Sequence, residues 1–232
     1  MSKSPLLLLV SVLILSSCNR GEGAGSQVAA ANAAPAGAAP AAAANDELVA
    51  RADRGRIRGD SSSKIWLIVA SDFECPYCKL WHDSTDATIR REYIDNGKVR
   101  LAFMNFPLRQ HRHAMPAAEA AMCASAQGKF WEMHDAIFAS QDRWKSTPDA
   151  TAIFESLAAG VGVDVPALRQ CVSSHRMRPM IQADYDKGVA AGVNATPFFF
   201  VGNERLSGAQ PASAFRRILD AALAAAAAPQ GR

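Results

Sequence analysis

The sequence carries almost no excess charge of either sign: 25 Lys and Arg stand against 22 Asp and Glu, a net of +3. That is too little for a protein built to coat nucleic acid, whose affinity rests on neutralising many phosphates. An apolar run able to span roughly 30 Å of hydrocarbon is also missing; the longest, Leu6–Leu15, is short and broken by Ser11. Five cysteines, at positions 18, 75, 78, 123 and 171, are too few for a disulfide-dense scaffold. No second Cys-x-x-Cys and no internal repeat occur. What is present, 49% hydrophobic and 20% charged residues, is the balance of a globular chain and excludes wholesale disorder. Its 232 residues make one domain plus extras, or two small domains.

Lys3 followed by the Leu6–Leu15 run has the form of a signal-peptide core. It ends Leu15-Ser16-Ser17-Cys18, which resembles the bacterial lipobox, where the Cys becomes the lipidated mature N-terminus. Residues 1–17 are therefore expected to be a lipoprotein signal peptide and Cys18 a lipid anchor, on the periplasmic side of the cell envelope. The alternative is ordinary cleavage near Ser17 that leaves Cys18 a free thiol, a liability in an exported protein. Which membrane would hold the anchor is open. Residues 19–45 contain 13 Ala, 4 Gly and 2 Pro and no aromatic residue. They cannot bury enough apolar surface to offset chain entropy, so 18–45 reads as anchor and flexible tether, with a globular domain over 46–228.

Within that domain, Ile65–Ala70 is a continuous β-rich apolar run, the mark of a strand buried on both faces. A helix is expected from Pro76 to about Asn96-Gly97, and a second strand over Val99–Phe106, closed by Pro107. Strand, helix, strand is a right-handed βαβ unit by default. From about residue 109 to 191 the pattern is helical, with Asp164 as an N-cap, Pro166 in a first turn and Gly192 as a stop. Sheet returns as a hairpin, Phe198–Val201 and Arg205–Ser207, followed by an amphipathic helix over Pro211–Ala227.

Cys75-Pro76-Tyr77-Cys78 falls at the strand-to-helix junction. A thiol at a helix N-terminus faces unpaired N–H groups and the positive end of the macrodipole, both of which favour the thiolate. The thiolate is the nucleophile of disulfide exchange, which makes Cys75 the reactive thiol, with Cys78 one turn on and able to resolve a mixed disulfide. An inert disulfide or half a zinc site are the alternatives; zinc would want a further pair, and only His111 and His113 lie close together. Thr196-Pro197, just before the second sheet segment, is an X-Pro bond, the main setting for a cis peptide.

These stretches together resemble the DsbA family of thioredoxin-fold disulfide oxidoreductases, over residues 55 to 225. The matching segments are SDFECPYC (71–78), FPL (106–108), CASAQGKFWEMHDAIF (123–138) and GVNATPFFFVGNERLSG (192–208). The resemblance implies an α/β thioredoxin-like fold with an inserted all-helical subdomain. It also implies Cys75 as nucleophile, Cys78 as resolving thiol, and a cis-Pro197 beside them. Pro76, Tyr77, Thr196 and Pro197 would meet the substrate, with the Thr196 backbone pairing to an incoming strand. One departure stands out: the family often buries a carboxylate six residues before the first Cys, and Val69 is found there. Asp72 and Glu74 read as solvated loop acids too exposed to substitute, whose charge opposes the thiolate modestly.

Cys123 and Cys171 fall on different expected helices, and in an exported protein they are expected to pair, as in some DsbA relatives. Two buried free thiols, or a shuttle disulfide, are the alternatives. Phe130, Trp131, Met133, Ile137 and Phe138 read as core, and the basic stretch 109–113 as a solvated lead-in to a helix. The expectation is thus a monomeric, lipid-anchored oxidoreductase without metal or cofactor. It would donate disulfides to partly folded exported proteins, and a membrane redox partner would re-oxidise it. A reductase or isomerase for one client, or a non-catalytic partner- or copper-binding lipoprotein, remain the alternatives.

Overall fold

Trp66–Ser71 forms the central strand β2, with a neighbour on each edge. Leu67 and Val69–Ser71 are buried, but Trp66 and Ile68 are only half-buried, which corrects the expectation of a strand buried on both faces, because one face at its start is incompletely covered. In the computed structural model, which describes residues 38–228, the sheet order is β1-β3-β2-β4-β5. Strand β3 (Arg100–Asn105) runs parallel to β2, with Leu67 opposite Leu101 and Val69 opposite Phe103. Strand β4 (Phe198–Val201) is antiparallel to β2 and pairs in turn with β5 (Glu204–Ser207). The two-residue β1 (Ile57–Arg58), too short for any periodicity to reveal, closes the far edge antiparallel to β3.

Between β2 and β3 the chain runs helically as α2 (Pro76–Trp81), a π turn at His82–Asp86, α3 (Ala87–Ile89) and a second π turn at Arg90–Ile94. Pro76 sits in the first turn, where its missing N–H costs nothing, and the run ends before Gly97, whose φ of 75° needs glycine. The π turns were not legible in the sequence.

The helical subdomain lies between β3 and β4. It comprises α4 (Ala114–Ser125), α5 (Phe130–Ala139), α6 (Gln141–Trp144), α7 (Thr151–Gly160), α8 (Val165–Ser173) and α9 (Arg178–Ala190). Asp164 caps α8, its carboxylate accepting from the Ala167 N–H at 2.7 Å. The main core runs from the sheet into this subdomain through Phe73, Phe103, Phe130 and Phe138, all nearly fully buried. Cys123 and Cys171 are joined, tying α4 to α8 across 48 residues of sequence. A final helix, α10 (Ala212–Ala227), packs Phe215 against Phe199 and Trp81.

Helix α1 (Ala38–Gly55) corrects the expected boundary: the helix begins eight residues before Asp46, inside the stretch read as tether. Alanine is the strongest helix former, and Pro40 falls in the first turn, where N–H groups lack intrahelical partners anyway. The helix is docked by the Ser125 hydroxyl of α4, which donates to the Ala52 carbonyl at 2.6 Å. The expected signal peptide, the lipid-anchor Cys18 and the tether up to residue 37 lie outside the described residues.

Candidate active site

Parallel strands β2 and β3 end at the same edge of the sheet, so the segments that follow them meet there. The first carries Asp72, Glu74, Cys75 and Cys78, and the second carries residues 107–113. Cys75 is the residue preceding α2, with an extended backbone (φ −67°, ψ 125°), and only 4% of its surface is exposed. Cys78, one turn on, is buried. Both are free thiols.

The Thr196–Pro197 bond is cis. It brings the Thr196 carbonyl to 3.4 Å from the Cys75 sulfur, which donates to it. On the other side, the Asp72 backbone N–H donates to the Cys78 sulfur at 3.4 Å. Pro76 and Tyr77 are exposed, Tyr77 and Leu80 presenting large apolar surfaces on the outer face of α2.

The two thiols titrate in opposite directions. Donation from the Cys78 thiol first, against the opposing effect of burial, together with the N–H groups of Tyr77 and Cys78, lowers Cys75 to about 6. Burial pushes Cys78 well above its ordinary value. At pH 7 a thiol of pKa about 6 is roughly 90% thiolate. This site can therefore hold one stable thiolate beside one protonated thiol, the arrangement needed for exchange at a single sulfur.

Val69, in the place of the family's carboxylate, is buried between Phe103 and Phe199 in the strand register. Asp72 corrects the reading of solvated loop acids: it is 1% exposed. Three N–H groups converge on its carboxylate, from Glu74 at 2.7 Å, Leu108 at 2.8 Å and the His111 Nδ1 at 2.7 Å. Glu74 is partly buried and accepts from the His113 N–H at 2.6 Å. Stretch 109–113 is thus not uniformly solvated either, since His113 is buried and its Nε2 lies 2.8 Å from the Thr147 carbonyl. Gln141, on the α6 turn missed in the sequence, donates to the carbonyls of Phe73 and Cys75 and fixes the loop from behind.

One cluster has the composition of a cation site: ligand atoms of His82, His134 and Asp135 lie within 4.8 Å of one another. Both carboxylate oxygens of Asp135 already face the Arg90 guanidinium, at 3.1 and 3.2 Å, and Arg90 also meets buried Asp86 at 2.8 Å. A cation there would have to displace that guanidinium, so the set fits an ion-pair network better than a metal.

Residues 51–221 match the thioredoxin family. Among solved structures, Wolbachia pipientis alpha-DsbA1 is 25% identical, with a TM-score of 0.66 over 74% of this chain and 92% of its own. BdbD from Bacillus subtilis is 19% identical, with a TM-score of 0.67 over 74% and 94%. A curated relative, the Na(+)/H(+) antiporter NhaA 3 of Salinispora tropica, is 33% identical over 157 residues, 67% of this chain. The chain spans about a quarter of the length of such relatives, 23% in that case. Among the described residues no helix is long and apolar enough to cross a membrane. The family match, the inserted helices and the shared fold of the DsbA structures agree: the chain belongs to the thioredoxin family, with the DsbA architecture.

Proposed function

We propose that this chain is a thiol–disulfide oxidoreductase of the bacterial cell envelope, held there by lipidated Cys18, that donates the Cys75–Cys78 disulfide to thiols of exported proteins. The observation that carries the reading is the asymmetry of the pair: a Cys75 thiol lowered to about 6 beside a Cys78 thiol raised by burial. In the donating direction a substrate thiolate attacks the Cys75 sulfur, the Cys75–Cys78 bond breaks, and the electron pair leaves on Cys78, which takes a proton. A second substrate thiolate then attacks the substrate sulfur of the mixed disulfide. The substrate disulfide forms and Cys75 leaves as a thiolate. A low-pKa thiol leaves faster, and its stable thiolate favours the reduced form, so the disulfide is given away readily. Two electrons remain on the pair, and a membrane redox partner is required to remove them.

Substrate would lie along Thr196 as an added strand, with Tyr77 and Leu80 offering apolar surface beside the sulfur. Trapping tests the reading. Cys78→Ser is expected to accumulate mixed disulfides through Cys75 when mixed with an unfolded secreted protein whose cysteines are activated as mixed disulfides with thionitrobenzoate, which leaves as Cys75 attacks, and Cys75→Ser to accumulate none. Absence of adducts with Cys78→Ser would favour the non-catalytic binding protein instead.

A further inference from the structure

The loop that carries the redox pair also holds the buried carboxylate of Asp72. The Asp72 backbone contacts both cysteines, its N–H reaching the Cys78 sulfur at 3.4 Å and its carbonyl accepting from the Cys75 N–H at 3.1 Å. The carboxylate of the same residue is nearly fully buried, so as an anion it would oppose a thiolate at Cys75 with little water to screen it. Val69 leaves the site without the carboxylate that the family often buries there, and Asp72 and Glu74 are the acids beside the pair, Asp72 the more deeply buried.

What faces it is His111, whose Nδ1 lies 2.7 Å from the Asp72 Oδ2 across 39 residues of sequence. The other ring nitrogen has no hydrogen-bond partner among the described residues, and the ring lines a 210 Å³ cavity with Arg109, Gln182 and Tyr185. We propose that the imidazole of His111, seated on Asp72, is the positive charge that cancels the buried carboxylate and holds the Cys75 thiolate, making it a positioning residue of the exchange reaction. This inference rests on the oxidoreductase reading above. The Asp72 contact first, then the charges of Asp72, Cys75 and Glu74, raise the His111 pKa against the effect of burial, and attraction between His111 and Cys75 acts equally on both. The ionisable groups facing His111 are Asp72, Glu74 and Cys75 from the β2–α2 segment, Arg109 from its own, and Tyr185 from α9.

Two variants separate charge from shape. His111→Gln keeps an N–H donor for Asp72 but loses the cation, and His111→Lys keeps a cation. In the reduced full chain, the pH dependence of Cys75 alkylation, followed on its own peptide by mass, reads the thiolate directly. Wild type should titrate near 6. His111→Gln should raise the midpoint by about half a unit or more, roughly threefold less thiolate at pH 5, and His111→Lys by clearly less. A Gln curve that overlays wild type, or equal rises for Gln and Lys with unchanged thermal unfolding, would overturn the proposal. Because the readout needs no substrate, a wild type inert toward disulfides would sink the oxidoreductase reading while leaving the His111 result decisive on its own.

Discussion

At the scale of single residues the chemistry turns on where charge can rest. A Cys75 thiol lowered from 9.0 to about 6 makes the reduced protein's stability depend on pH in one direction. The folded pKa is depressed, so this contribution is fully present above the unfolded value and is lost as pH falls through about 6. The oxidised form has no such thiol. Urea unfolding of the two forms should therefore show the reduced form's relative advantage larger at pH 8 than at pH 5, and a difference independent of pH would contradict the titration. The sulfur pair was legible in the sequence because its chemistry is local to a short motif, while the cis state of the Thr196–Pro197 bond followed from the family resemblance. The roles of Asp72, His111 and Gln141 were not legible. The Asp72–His111 contact crosses 39 residues and depends on the parallel register of β2 and β3, while Gln141 reaches Phe73 and Cys75 across 68 and 66 residues from α6.

At the scale of elements, most helices and both long strands could be read from periodicity, caps and stops, and what escaped was short or built by packing. Strand β1 has two residues, and α6 has four that are defined by burial of Gln141 and Trp144 rather than by pattern. Helix α1 was not expected, because its Ala-rich start reads as tether, and its later half is held by Ser125 of α4 at the Ala52 carbonyl. The joint between α9 and the sheet is tight: a Cβ at Gly188 would lie 2.7 Å from two ring carbons of Phe106, itself stacked on Tyr185 at 4.6 Å. Gly188→Ala should cost about 1–3 kcal/mol in chemical denaturation, since that ring has nowhere to go; an unchanged midpoint would mean that α9 shifts freely. The Cys123–Cys171 link closes a loop of 48 residues, which a chain-entropy account values at about 4 kcal/mol. Replacing both with Ala should lower stability by that order while leaving thiolate titration at Cys75 in place, and loss of both together would show that the helical subdomain tunes the redox pair.

At the scale of the whole molecule, the thioredoxin sheet supplies a rigid edge, the inserted helices wall its C-terminal end, and the redox pair sits where the two meet. The chain is expected to sediment as a monomer; a stable dimer would count against the disulfide-donor reading. A Pro-Tyr pair between the cysteines does not decide the direction of electron flow, because glutaredoxins near −200 to −230 mV and DsbA near −120 mV differ by only about 4 kcal/mol. The measurement that tests it most directly is the equilibrium reduction potential of Cys75–Cys78 against glutathione. A stabilised Cys75 thiolate predicts a value of about −120 to −150 mV, the potential of a disulfide donor. A value of about −220 mV or below would contradict the account and make the chain a reductase or isomerase that draws electrons from its partner.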